Sequence, residues 1–149
     1  MKRDDTRPGR ILLVEDSPAD ARLTEEALKE ASAGADLTWV DDGAKALAYL
    51  HGEAPYTDAV RPDLILLDLN MPRLDGRAFL ERVKGEPGLA SIPVVVLTSS
   101  DSEADILHSY QHRANAYITK PANLDAFMED LKTLSLFWEA VRTPRRGGQ

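Results

Sequence analysis

A doubly wound α/β fold built on a five-stranded parallel sheet is what this sequence predicts, and three observations carry that expectation. Four aliphatic residues in a row, Leu64-Ile65-Leu66-Leu67, run into Asp68 with no polar alternation. Such a run suits a strand buried on both faces, as in a parallel sheet covered by helices. The pattern also occurs near the start, where Ile11-Leu12-Leu13-Val14 ends on Glu15-Asp16. Finally, five apolar runs alternate with helical patterns along the whole chain, which implies right-handed βαβ crossovers in a (βα)5 order.

Taken in order, the strands are Ile11–Val14, Leu37–Val40, Leu64–Leu67, Val94–Leu97 and Ala116–Ile118. The first helix follows Ser17-Pro18, a capping residue with proline at the first helical position. It carries Ala21, Leu23, Ala27, Leu28 and Ala31 at helical spacing and stops near Gly34. The second, Ala44 to Leu50, ends at Gly52. A third begins after Asp75-Gly76 with Phe79, Leu80 and Val83 on its inner face, and a fourth covers about Ser102 to Gln111. The last starts at Asn123 and runs to about Arg142. The connection from about Gly52 to Pro62 is long for such a fold and reads as an interaction surface or a family-specific insertion.

Composition narrows the function classes. A chain of 149 residues with 43% hydrophobic and 29% charged residues is an ordinary globular protein with a sizeable core. No stretch approaches the roughly 20 apolar residues of a membrane span, and the N-terminal segment lacks a signal-peptide core. With no cysteine, thiolate metal sites and disulfides are excluded, and a cytoplasmic setting is expected. A net charge of −7 argues against nucleic-acid binding, which needs clustered Lys and Arg. The one basic cluster, Arg142, Arg145 and Arg146, reads as a frayed tail. The histidines His51, His108 and His112 carry no ligand pattern.

The chemistry lies at the strand ends. In a parallel sheet Glu15, Asp16, Asp68, Thr98 and Lys120 share one edge, the edge where open α/β sheets place their ligands. Three crowded carboxylates repel, and a hard divalent cation with oxygen ligands, Mg²⁺, relieves that repulsion. A hydroxyl and an ammonium beside the cation suit a phosphoryl group, whose transfer needs charge neutralised on its oxygens. Asp68 is then the nucleophile, giving an aspartyl phosphate.

The motifs Leu13-Val14-Glu15-Asp16-Ser17, Leu67-Asp68-Leu69-Asn70-Met71-Pro72 with Asp75-Gly76, Leu97-Thr98-Ser99 and Tyr117-Ile118-Thr119-Lys120-Pro121 occur in that order. With them the chain resembles the receiver domain of two-component response regulators, from about Arg10 to Val141. The resemblance implies the flavodoxin-like receiver fold over residues 10–142 with an extended last helix, an N-terminal tail at 1–9 and a flexible tail at 143–149. It implies Asp68 as phosphoacceptor, Asp16 as a direct Mg²⁺ ligand, Glu15 acting through water, and Asn70 supplying its backbone carbonyl to the metal. Lys120 and Thr98 would each bind a phosphoryl oxygen, with Thr98 and Tyr117 as the switch pair and a cis Lys120-Pro121 bond aiming the ammonium. Glu15 stands where aspartate is more usual in the family.

Rival readings are weaker. Haloacid dehalogenase-type phosphatases need a second acid two residues after the nucleophile, and that place is Asn70. No phosphate-binding glycine loop is present. Asp68 as a turn cap, Glu15-Asp16 as acids favouring a helix N-terminus and Tyr117 as a plain core aromatic are the structural alternatives. Because the resemblance uses nearly the whole chain, a single-domain response regulator is expected. It is not an enzyme in the ordinary sense, but a phosphoacceptor that assists its own phosphotransfer and dephosphorylation. The alternatives within this class are a phosphorelay intermediate or a receiver-like binding module that needs no phosphate. Asn70, the long connection and Phe137-Trp138 look like regulators paired with bacterial phytochrome histidine kinases. Leu136 and Phe137 fall off the apolar stripe of Leu124, Phe127, Met128, Leu131, Leu134 and Trp138, so a homodimer through the last helix is expected.

Overall fold

In a computed structural model, the described residues are 9–31, 36–68, 76–98 and 116–119, with Glu129 and Thr133. Five strands, β1 (Arg10–Val14), β2 (Asp36–Val40), β3 (Leu64–Asp68), β4 (Val94–Thr98) and β5 (Ala116–Thr119), form one sheet in the order β2-β1-β3-β4-β5. Every pairing is parallel. Three helices are described: α1 (Pro18–Ala31), α2 (Gly43–His51) and α3 (Gly76–Gly85). The fourth and last helices of the sequence reading lie outside the described residues, except that Glu129 and Thr133 are helical and exposed. That fits the polar side of the helix expected there.

All five strands appear where the aliphatic runs put them, each extended by a polar residue. β1 begins at Arg10 and β2 at Asp36, which pair with each other, while β3, β4 and β5 end on Asp68, Thr98 and Thr119. Alternation along each strand divides the core between the two faces. Leu12, Val14, Ile65, Leu67, Val94 and Val96 pack with Ala46 and Leu47 of α2 and with Phe79, Leu80 and Val83 of α3. Ile11, Leu13, Leu64, Leu66, Val95 and Leu97 pack with Ala21, Ala27 and Leu28 of α1. Helices therefore cover both faces, which is why β1 and β3 read as continuous hydrophobic runs.

Local signals fix the helix ends. The Ser17 hydroxyl accepts from Asp20 N–H at 3.2 Å, so Ser17 caps α1 ahead of Pro18. Asp42 caps α2 by accepting from Lys45 N–H at 2.7 Å. Gly52 closes α2 with φ +70°, a left-handed conformation that glycine adopts without a Cβ penalty. α3 starts at Gly76 itself, one residue earlier than expected. The long connection folds back on α2: Tyr56 stacks edge-on against Tyr49 at 5.6 Å, and the Tyr49 hydroxyl donates to the Val60 carbonyl. No described helix is long and apolar enough to cross a membrane.

Phe79 is fully buried between α3 and the sheet. Phe79→Ala is expected to destabilise the fold by about 3–5 kcal/mol through lost burial and a residual cavity. A urea midpoint within error of wild type would refute that placement.

Candidate metal and phosphoacceptor site

β1 has β2 on one side and β3 on the other, so the chain turns outward to β2 and then crosses back to β3. That reversal opens a crevice beyond the C-terminal ends of β1 and β3, the place where open α/β sheets hold ligands. Glu15 and Asp16 follow β1 directly, and Asp68 is the last residue of β3. The register Val14↔Leu67 puts the two strand ends level.

The three acids do converge. One carboxylate oxygen from each of Glu15, Asp16 and Asp68 lies within 4.8 Å of the other two. Glu15 is 0% and Asp68 5% exposed, while Asp16 is half-buried. Burying like charges together is unfavourable unless something compensates them. Part of the compensation is local, since Glu15 Oε2 accepts from the Ser17 N–H at 3.2 Å. The donor set is all oxygen and anionic, which fits a hard divalent cation retaining some water ligands. The helix-start reading of Glu15 is thus only part of its role: it bonds the backbone just ahead of α1 and also faces two other carboxylates.

Of the other expected site residues, Thr98 ends β4 and pairs with Thr119, the last residue of β5. Tyr117 pairs with Val96. The side chains of Thr98 and Tyr117, and the whole of Asn70, Lys120 and the Lys120-Pro121 bond, lie outside the described residues.

The profile of the response regulator receiver domain matches residues 11–132. The chain belongs to this family. The receiver is 43% identical over 145 residues to response regulator Rcp1 of Synechocystis, an alignment covering 97% of this chain and 99% of that one. It is similar to the crystal structure of the phosphorylated cyanobacterial phytochrome response regulator RcpA, with a TM-score of 0.85 and 48% identity over 91% of this chain and 97% of that one. A crystal structure of the Mn²⁺-bound form of Rcp1 superposes with a TM-score of 0.81 and 45% identity, covering 88% of this chain and 94% of that one. Response regulators pair with histidine kinases, and receiver domains bind divalent metal, which agrees with the acidic cluster in this one.

Sequence reasoning missed several contacts around this receiver's site. The Trp39 indole Nε1–H donates to the Glu15 carbonyl at 2.7 Å, and the Glu15 N–H donates to the Val40 carbonyl at 3.0 Å. The only available signal was an aromatic with a polar handle at the end of the neighbouring strand. Farther away, His51 meets Glu86 at 2.9 Å and joins the end of α2 to the end of α3. Lys84 donates to the carbonyls of Ala90 and Ile92 at 3.0 and 2.8 Å, tying α3 to the segment ahead of β4, and burial lowers its pKa. A cavity of about 320 Å³ lined by Arg10, Asp36, Tyr49, Tyr56 and Val60 opens at the opposite end of the strands, so it is not part of the carboxylate site.

Proposed function

We propose that Asp68 accepts a phosphoryl group from the phosphohistidine of a sensor kinase, and that the phosphorylated receiver signals by altered contacts with partners. The observation that carries this reading is the convergence of Glu15, Asp16 and Asp68 within 4.8 Å at the switch point of the sheet. An Asp68 carboxylate oxygen attacks phosphorus, the phosphorus–nitrogen bond to the kinase histidine breaks, and the imidazole leaves with its electron pair and takes up a proton. Hydrolysis of the resulting acyl phosphate later returns Asp68 to a carboxylate.

Asp16 and Asp68 would hold Mg²⁺ directly, Glu15 would act through a water, and Asn70 would contribute its backbone carbonyl. The ion, when bound, neutralises charge on the phosphoryl oxygens. Lys120 and Thr98 bind the remaining oxygens, which is how the chain assists its own phosphorylation and dephosphorylation. Thr98 moving toward the phosphoryl group leaves room for Tyr117 to turn inward, which carries the signal outward. The burial of Glu15 and Asp68 supports the scheme, because a cation offsets charges that would otherwise be poorly solvated.

The kinase partner in this reading is a bacterial phytochrome in the cytoplasm, and the likeness to RcpA and Rcp1 over nearly the full length of each supports it. Phosphotransfer profiling tests it. The purified receiver, offered to phosphorylated phytochrome kinases and to unrelated kinases of the source genome, is expected to take phosphate fastest from a phytochrome kinase. Faster transfer from an unrelated kinase would reject the pairing.

A homodimer through the last helix of the 10–142 receiver completes the reading. Leu136 and Phe137, off the stripe that the sheet can bury, and Val141 at its margin would bury apolar surface against a second copy in a two-fold contact. Sedimentation is expected to give a dimer for wild type and a monomer for a Phe137→Glu/Trp138→Ala variant. A wild-type chain that stays monomeric at high micromolar concentration, with and without a phosphate mimic, excludes it.

A further inference from the structure

Glu15 is held from three directions. Its backbone N–H donates to the Val40 carbonyl at 3.0 Å, its carbonyl accepts from the Trp39 indole at 2.7 Å, and its Oε2 accepts from the Ser17 N–H at 3.2 Å. Two of these ties come from the last two residues of β2, the edge strand of the sheet. The Glu15 carbonyl and the Asp16 nitrogen belong to one planar peptide unit. Fixing the carbonyl oxygen therefore fixes the plane from which the Asp16 chain departs.

Burial alone does not account for Trp39. It is 43% exposed, one of two large hydrophobic residues exposed to that extent among those described. What the indole does at this position is donate one short hydrogen bond, and it donates it to the residue preceding Asp16. Three carboxylates within 4.8 Å repel when no cation is bound, and the turn between β1 and α1 is the segment through which they could separate. A bond that holds this peptide in place keeps the acids together in the cation-free protein. It thereby lowers the cost of ordering the site when the cation arrives.

We propose that Trp39 is a positioning residue for the divalent-cation site, acting through its indole N–H on the Glu15–Asp16 peptide. The proposal rests on the metal role assigned above to Glu15, Asp16 and Asp68. Loss of an outer-shell partner typically lowers metal affinity by about 10–100-fold. Trp39 acts one peptide away from the ligand carboxylate, so the lower end, about tenfold, is expected.

Two substitutions separate the donor from the ring. Trp39→Phe keeps an aromatic and removes the N–H. Trp39→Gln removes the ring but carries an amide N–H the same number of bonds from Cα. Mn²⁺ and Mg²⁺ titrations by calorimetry on the full chain should show Trp39→Phe binding about tenfold more weakly and Trp39→Gln close to wild type. At saturating cation, all three should reach the same extent of labelling by acetyl phosphate, with only the half-saturating cation concentration displaced in Trp39→Phe. A Trp39→Phe chain with the wild-type constant overturns the proposal, as does a Trp39→Gln chain as weak as Trp39→Phe. If Trp39→Phe does not fold, Trp39→Leu supplies the donor-less comparison: binding as tight as wild type overturns the proposal, and weakening that Trp39→Gln does not share upholds it. Wild-type protein that binds no divalent cation, or that binds one equally well after Asp16→Ala, removes the underlying site reading instead.

Discussion

Wild-type protein incubated with acetyl phosphate and Mg²⁺ is expected to gain one acid-stable, base-labile phosphate, and Asp68→Asn is expected to gain none. The substitution keeps the shape of the side chain and removes the anionic oxygen that attacks phosphorus, so the loss should be complete rather than graded. Asp68 is the right residue to test because it ends a fully buried strand and is itself only 5% exposed. Of the three clustered acids, it is the one at the end of β3, the strand paired with β1. Asp68→Asn also removes one of three mutually repelling charges, so the variant should fold at least as well as wild type without metal. That separates lost chemistry from lost structure. Intact-mass measurement reads the incorporation, and equal labelling of the two proteins would remove Asp68 from the role.

The strands were legible because covering a parallel sheet on both faces forces runs such as Leu64–Leu67 and Val94–Leu97 to be apolar at every position. The polar residues that open β1 and β2 and close β5 were not. Arg10, Asp36 and Thr119 join the ladder through backbone groups, and ladder hydrogen bonds are indifferent to side-chain polarity. Arg10 is fixed further by Asp63, whose carboxylate accepts its N–H at 2.9 Å from 53 positions away. Helix starts and stops were readable where the signal is local, as at Ser17-Pro18 and Gly52.

The acid cluster was legible for a different reason. Parallel strands send their C-terminal ends to one edge, so Glu15, Asp16 and Asp68 had to share it once the strands were assigned. What no local pattern encodes is which atoms meet across elements. Trp39 reaches Glu15 because the β1–β2 register sets Val14 beside Val40. His51 meets Glu86, and Arg61 donates to the Gly88 carbonyl and the Ser91 hydroxyl, only after α2 and α3 have packed on the same face. These contacts follow from register and packing, and of them the Trp39 bond is the one that touches the site.

Asp16→Ala is expected to lower Mg²⁺ or Mn²⁺ affinity by more than about 100-fold, the upper end of what losing even an outer-shell partner costs. Asp16 is the least buried of the three acids, so its removal leaves the core packing intact while deleting one anionic ligand. Asp58→Ala is the matched control: it deletes an exposed acid at the opposite edge of the sheet, changes net charge equally, and should leave the constant unchanged. Thermal unfolding gives an independent reading with a change of sign. Without cation, Asp16→Ala should melt above wild type, because two clustered carboxylates repel less than three. With cation at about 100 times the wild-type dissociation constant, wild type gains about 2.7 kcal/mol by mass action and the variant far less. The order of melting temperatures should therefore invert on adding cation. An unchanged dissociation constant in Asp16→Ala, or melting curves that keep their order, would place any bound cation elsewhere on the protein.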